Sequence, residues 1–223
     1  MPESRVLRRA ADRFHTVADG TETFHSFSYG RHYDPDNIGF GPVIAINEER
    51  IAAGAGYDEH HHADAEIVTW VLDGVLDHED STGHGGQVRP GVAQRLSAGA
   101  GVTHAERNAS DVAALRFVQM MVRSTNEDEP EYAQATVPAG PGVHETVPVH
   151  ADARLVVARP GPDAPVELEV EHAALLHVTR GPLSVDGTVL DPGDALHVAG
   201  PTRLGLTGRN GEALVWLIPH SRG

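Results

Sequence analysis

Two short segments hold the side chains best suited to chemistry. The first is GYDEHHHADAE, Gly56 to Glu66, which runs into the apolar stretch IVTWVL. In an extended strand residues i and i+2 share a face, so His60 and His62 point one way and His61 the other. Glu66 has the same parity and could be a third ligand or an acceptor that orients an imidazole N–H. The second segment, AGAGVTHAERN, repeats the spacing with His104 and Glu106. Neighbouring strands lie about 4.8 Å apart, so two such pairs on facing inner positions could close a site of three imidazoles and one carboxylate. That donor set, without sulfur, suits one divalent transition metal: iron, nickel, copper, manganese or zinc. Coordination positions left open would make the site catalytic rather than structural. Binding is expected to weaken below about pH 6, as the imidazoles protonate.

Composition narrows the chemistry further. The chain of 223 residues has 15 His and no Cys, which excludes a disulfide framework, an iron–sulfur cluster and a thiol nucleophile. All 17 basic residues are arginine, so the lysine of phosphate loops and Schiff bases is missing. Against 32 acidic residues they leave a formal net charge of -15, which argues against direct binding of nucleic acid or of an anionic membrane. No stretch approaches the roughly 20 apolar residues that span a bilayer. The N-terminal MPESRVLRRAADRF has charge without an apolar run behind it, so a cytoplasmic location is expected.

The elements that must position these residues read as strands. Gly and Pro punctuate short runs rich in Val, Ile, Leu and Thr, the pattern of an all-β sandwich or barrel. Strands are expected at 43–47, 66–72, 92–96, 113–122, 155–158, 174–179, 195–198 and 213–218. A repeat divides the chain in two: VTWVLDGVLDHED with PGVAQRLSAG in the first half is matched by LLHVTRGPLSVDG with PGDALHVAG in the second. The acidic, Pro-containing stretch between them suits a linker. The expected domains are therefore 1–123 and 136–223, joined by a linker at 124–135. Gly99 and Gly101 would permit a tight turn ahead of His104.

Read from Gly54 to Gly74, GxGxxxHHH-x3-E-x3-W-x-L-x-G, followed by HEDSTGHGGQVRPGVAQRLSAGAGVTHAE from His78 to Glu106, resembles the pirin family of the cupin superfamily. The resemblance begins with TFHSFSYGRHYDPDNIGFGPVIAINEERIAAGAG at Thr23 and continues to about Val122. It implies a bicupin, two face-to-face jelly-roll β-barrels, with metal only in the N-terminal one. Pirins bind iron or another transition metal through an H-x-H and an H-x-E segment, and the matching positions here are His60, His62, His104 and Glu106. Pirins commonly have Pro where this chain has His61, which adds a rival ligand. His25, Ser26, Phe27, Tyr29 and His32 either line the approach to the metal, by family position, or pack as an aromatic group.

The activity implied by the resemblance is that of quercetinase-like bacterial pirins. A metal-dependent dioxygenase would take a small aromatic enol such as quercetin and O2, releasing CO, with Glu106 as the general base. The alternative is a metal- or redox-sensing regulatory protein that binds a protein partner without turnover. Counting along the repeat places Glu167, Glu169 and Gly205 where the first half has His60, His62 and His104, so the second barrel is expected to hold no metal. His144, His150, His172, His177, His197 and His220 lack ligand spacing and are read as surface or core residues. His78, Glu79, Asp80 and Ser81 are read as hydrogen-bonded turn residues.

Overall fold

β-branched and leucine-rich runs interrupted every few residues by Gly or Pro give helices no room to grow, and what forms instead is antiparallel sheet. A computed structural model of the chain describes residues 3–125 and 128–219. Among these residues there are 21 strands and one 3₁₀ turn, Ala10–Asp12. The first twelve strands are β1 (Ser4–Arg8), β2 (Phe14–Ala18), β3 (Thr21–His25), β4 (Val43–Ile51), β5 (Gly56–His62), β6 (Ala65–Asp73), β7 (Leu76–Asp80), β8 (Gly85–Val88), β9 (Val92–Ser97), β10 (Val102–Asn108), β11 (Leu115–Arg123) and β12 (Glu131–Thr136). They are followed by β13 (Gly142–Glu145), β14 (Arg154–Arg159), β15 (Val166–Val170), β16 (Ala173–Arg180), β17 (Leu183–Val185), β18 (Thr188–Leu190), β19 (Ala195–Ala199), β20 (Thr202–Thr207) and β21 (Glu212–Ile218).

The strands form two compact units, each a jelly-roll barrel of one large and one small sheet around its own core. The first unit, Phe14–Thr136 with Val147–Ala151, has a seven-stranded sheet in the order β12-β9-β6-β11-β4-β3-β2 and a four-stranded sheet β5-β10-β7-β8. The second comprises the residues up to Arg13, Val137–Thr146 and those from Asp152 onward, with sheets β1-β19-β16-β21-β14-β13 and β15-β20-β17-β18. The all-β bicupin expectation therefore holds.

The unit boundaries differ from the expected ones at both ends of the first barrel. Strand β1 leaves residues 1–123 to pair with β19 of the second unit. There the Asp194 carboxylate accepts bonds from the Ala10 amide and the Arg9 guanidinium, both at 2.7 Å. The expected linker 124–135 instead supplies most of β12, which pairs with β9 from Glu131↔Ser97 to Thr136↔Val92. Arg95 holds Glu131 at 2.7 Å, and the Tyr132 hydroxyl donates to Gln94 at 2.9 Å. An acidic composition marks a solvent-facing edge strand as readily as a linker. Asn126 and Glu127 of that segment lie outside the described residues.

One row across the large sheet of the first barrel positions the site. Register places Gln94, Thr69, Gln119, Asn47 and His25 side by side on β9, β6, β11, β4 and β3. All five are buried and polar. Apolar clusters lie on either side, one with Ile67, Leu96 and Met121, the other with Ile51, Val71 and Phe117. A polar belt inside a barrel costs stability unless its groups find partners. Its partner face is the small sheet β5-β10-β7-β8.

Candidate metal centre

Strands β5 and β10 carry the predicted residues, and an irregularity in their pairing aims them. His60 lies opposite His104, but Tyr57 lies opposite Glu106, so three steps along β5 match two along β10. A bulge of this kind reverses the side-chain parity of the strand that carries the extra residue. Tyr57 and His60 can therefore both face the barrel interior, while Asp58 turns outward to Arg107. Gly56 is required at the other end of the pair, because a Cβ there would collide with the Glu106 carbonyl and come within 2.7 Å of the Arg107 Cα. Gly99, at φ +51°, makes the turn before β10, and a side chain at Gly101 would meet the His61 ring.

The three histidines converge. One ring nitrogen from each of His60, His62 and His104 lies within 4.8 Å of the other two, and the ring centroids are 4.4–5.1 Å apart. Glu106 joins a second group on the same terms, with His104 and His78, so His104 links the two. His61 lies exposed, away from both groups. Glu66 is also away from them. Asp64, at φ 57°, bends the chain between β5 and β6, so Glu66 passes into the large sheet. There it accepts bonds from Ser97 and Ser124, each at 2.7 Å, and from the His150 amide at 3.2 Å.

The hydrogen bonds leave a donor atom free on His60, His104 and Glu106. The Asp58 carbonyl, 2.8 Å from His60 Nδ1, can only accept, so Nδ1 carries the proton and Nε2 keeps its lone pair. His104 Nδ1 faces His78 Nδ1 at 3.5 Å, and His78 Nε2 faces Asp80 Oδ2 at 3.4 Å. The consistent assignment runs from His104 Nδ1–H to His78 and from His78 Nε2–H to Asp80, which leaves His104 Nε2 unprotonated. Gln119 Nε2 donates to Glu106 Oε2 at 2.7 Å. His62 Nε2, His104 Nε2 and Glu106 Oε1 are buried without a hydrogen-bond partner among the described residues. Each such atom costs about 1–3 kcal/mol unless a ligand engages it.

Protonation states agree with this reading. Burial, reinforced by the neighbouring imidazoles, lowers His62 to about 4 and His104 to about 3, so both are neutral at physiological pH. Burial pushes Glu106 up to about 7 despite the Gln119 bond, and the charge of Glu49 pushes it the same way. Neutral imidazoles with one ionisable carboxylate and no sulfur are the donor chemistry of a divalent transition metal. A cavity of about 520 Å³ opens beside them, lined by His60, His62 and Glu106 together with His25, Tyr29, Asn47, Glu49, Tyr57 and Gln119. His25 and Tyr29 line this cavity and stack on each other at 5.2 Å. Phe27 belongs to the core.

A family model described as Pirin matches residues 7–122. The chain belongs to the pirin family. A second model, described as the quercetinase C-terminal cupin domain, matches residues 137–217. A Mycobacterium tuberculosis protein provisionally named a quercetin 2,3-dioxygenase is 39% identical over 94% of this chain and 93% of its own length. The Escherichia coli K12 protein named quercetin 2,3-dioxygenase is 30% identical over 86% of this chain and 88% of its own. Among solved structures, the bacterial pirin YhhW of Escherichia coli in complex with nickel(II) superposes with a TM-score of 0.91 at 28% identity, covering 97% of this chain and 100% of that one.

Against the common pirin pattern, the one departure inside the candidate ligand segment is His61, and it is exposed in this pirin. Four residues of this site escaped sequence reasoning: Glu49, Tyr57, His78 and Gln119. His78 had a signal in LDHED, where Leu76, His78 and Asp80 alternate inward as in any strand. Gln119 had one too, as a polar residue at inward parity within the apolar run of β11, whereas Glu49 is hidden in the polar stretch 47–50. Tyr57 had none, because the bulge that turns it inward leaves no mark in residue spacing.

Proposed function

We propose that this pirin is a metal-dependent dioxygenase of the quercetin 2,3-dioxygenase type, cleaving a flavonol such as quercetin with O2 and releasing CO. His60, His62, His104 and Glu106 would hold one divalent metal, with iron or nickel the leading candidates. The reading rests on one observation: His62 Nε2, His104 Nε2 and Glu106 Oε1 are buried and unpartnered beside a cavity large enough for a small aromatic ligand. When bound, the metal supplies Lewis acidity that lowers the pKa of a ligating hydroxyl.

The remaining roles fall to the chain's own residues. His78 and Gln119 fix the orientation of His104 and Glu106, so little side-chain freedom is lost on loading. The aromatic rings of Tyr29 and Tyr57 and the imidazole of His25 give the cavity flat surfaces suited to a planar substrate. The test is anaerobic loading with Fe(II), Ni(II) or Cu(II), then addition of quercetin and O2. Loss of flavonol absorbance with release of CO is the expected result. Stoichiometric metal without turnover for any of the three would overturn the reading in favour of a regulatory pirin that acts through a protein partner.

A further inference from the structure

The cavity holds a second carboxyl group that the metal does not need. Glu49, on β4, is buried on the same wall as Asn47, and its Oε2 accepts two short bonds, from Thr23 Oγ1 and from Tyr57 Oη, each 2.6 Å long. Its Oε1 has no partner among the described residues, yet the residue lines the cavity. Two donors on one oxygen fix the carboxyl plane and leave the other oxygen for a ligand.

A hydroxyl that becomes a metal ligand must lose its proton to some group within reach. Glu106 is poorly placed to take it, since Oε2 is held by Gln119 and Oε1 is the atom left for the metal. His25 has both nitrogens engaged, Nδ1 with Asn47 at 2.9 Å and Nε2 with Thr16 at 2.9 Å. Burial raises Tyr29, and raises Tyr57 further beside Glu49, so both phenols stay protonated. We propose that Glu49, through its free Oε1, takes the hydroxyl proton of the enol substrate bound in this cavity. The substrate O–H bond breaks, a Glu49 O–H bond forms, and the electron pair stays on the substrate oxygen as an enolate. Charge is conserved within the cavity as the carboxylate becomes neutral. Burial also raises the Glu49 carboxyl to about 7, against the pull of its two donors, which matches a proton acceptor to neutral pH.

This role rests on the flavonol-cleaving activity proposed above, and one experiment separates the two. Wild type, Glu49→Gln and Glu49→Asp are loaded with Ni(II), the metal is quantified, and quercetin is added without O2. Ionised flavonols absorb at longer wavelength than neutral ones. The wild-type holoprotein is expected to show the red-shifted band at pH 7. Glu49→Gln should load nickel fully, bind quercetin without the shift and, once O2 is admitted, turn over at least about a hundredfold more slowly. Glu49→Asp should recover part of the shift. If Glu49→Gln fails to load nickel, Glu49→Ala with added acetate replaces it; a band restored by acetate supports the role, and one not restored overturns it. An undiminished shift in a fully loaded Glu49→Gln overturns this role alone, whereas a wild type that never binds quercetin overturns the activity and the role together.

Discussion

The two barrels share an architecture and differ in what faces inward at mid-height. In the first, the row across the large sheet is Gln94, Thr69, Gln119, Asn47 and His25, and the small sheet opposite presents His60, His62, His104 and Glu106. In the second, a corresponding row is Leu196, Leu176, Val215 and Val156, and its small sheet presents Val166, Leu168, Leu204 and Leu206 to the same apolar cluster. One cupin thus gives up part of its core to hold polar donors around a cavity. The other fills the same space with hydrocarbon. Fold alone therefore decides nothing about chemistry here; the inward residues of two strand pairs do.

Removing a donor from the first barrel should have the largest effect. His104→Ala is expected to lower Ni(II) affinity by more than about a thousandfold, beyond the ten- to hundredfold that outer hydrogen-bond partners are worth. His61→Ala should leave it unchanged. Titration calorimetry decides, and an empty site in His61→Ala would mean that the facing of β5 is wrong. Next comes stability. Leu176→Ala in the second barrel should cost about 3 kcal/mol, in the usual range for a buried leucine truncated to alanine. Thr69→Val, on the polar row, should be neutral or slightly stabilising in the metal-free chain, since its buried hydroxyl has no partner among the described residues. Urea unfolding measures both. A costly Thr69→Val would show that the polar row holds the barrel together rather than serving the site.

The contrast also explains what could be read in advance. All eight expected strands are present, and all lie in the two large sheets. Those sheets are buried on both faces over much of their length, so their strands are near-continuous apolar runs that stand out in a sequence. The small sheets alternate inward and outward, and their inward positions are polar in the first barrel, so β7 reads as a turn and β8 as nothing. Counting along the repeat found the correct rung but not the face. Glu167 does lie opposite Gly205, as His60 lies opposite His104. Yet β15 pairs without a bulge, so Glu167 and Glu169 face outward to Arg203 while Val166 and Leu168 face in. The candidate ligand residues stood out because imidazoles at i, i+2 are rare, and the structure brings His60, His62 and His104 together. The shell around them was fainter: His78 and Gln119 show only as polar residues at inward parity, Glu49 is lost among the polar residues of 47–50, and the bulge hides Tyr57.

Gln119 is where a single residue from that shell can be made to resemble the other barrel. Gln119→Leu puts hydrocarbon on the row, as in the second barrel, and leaves Glu106 Oε2 without its donor. Nickel affinity should fall by about tenfold, with the fold intact. Unchanged affinity would mean that Glu106 needs no orienting partner, and would weaken its case as a ligand.

The smallest effect concerns protons, and it separates the carboxylate from the imidazoles. A metal held by these four residues would require Glu106 ionised and the histidines neutral. In the metal-free barrel burial has already done the second task for His62 and His104, which bind protons only near pH 4 and 3. It has worked against the first by raising Glu106 to about 7. Acid should therefore weaken binding because the carboxyl must give up a proton, and the decline should begin near pH 7 rather than at the pH 6 expected from free imidazoles. Between pH 7 and pH 6 the affinity for nickel should drop by up to about tenfold, with close to one proton released per metal at pH 6. Calorimetry in two buffers of different ionisation enthalpy counts that proton. In Glu106→Gln the release at pH 6 should fall, although weak binding by the three histidines remains. If affinity instead holds level to pH 5, Glu106 is not a ligand, and the first barrel differs from the second by its imidazoles alone.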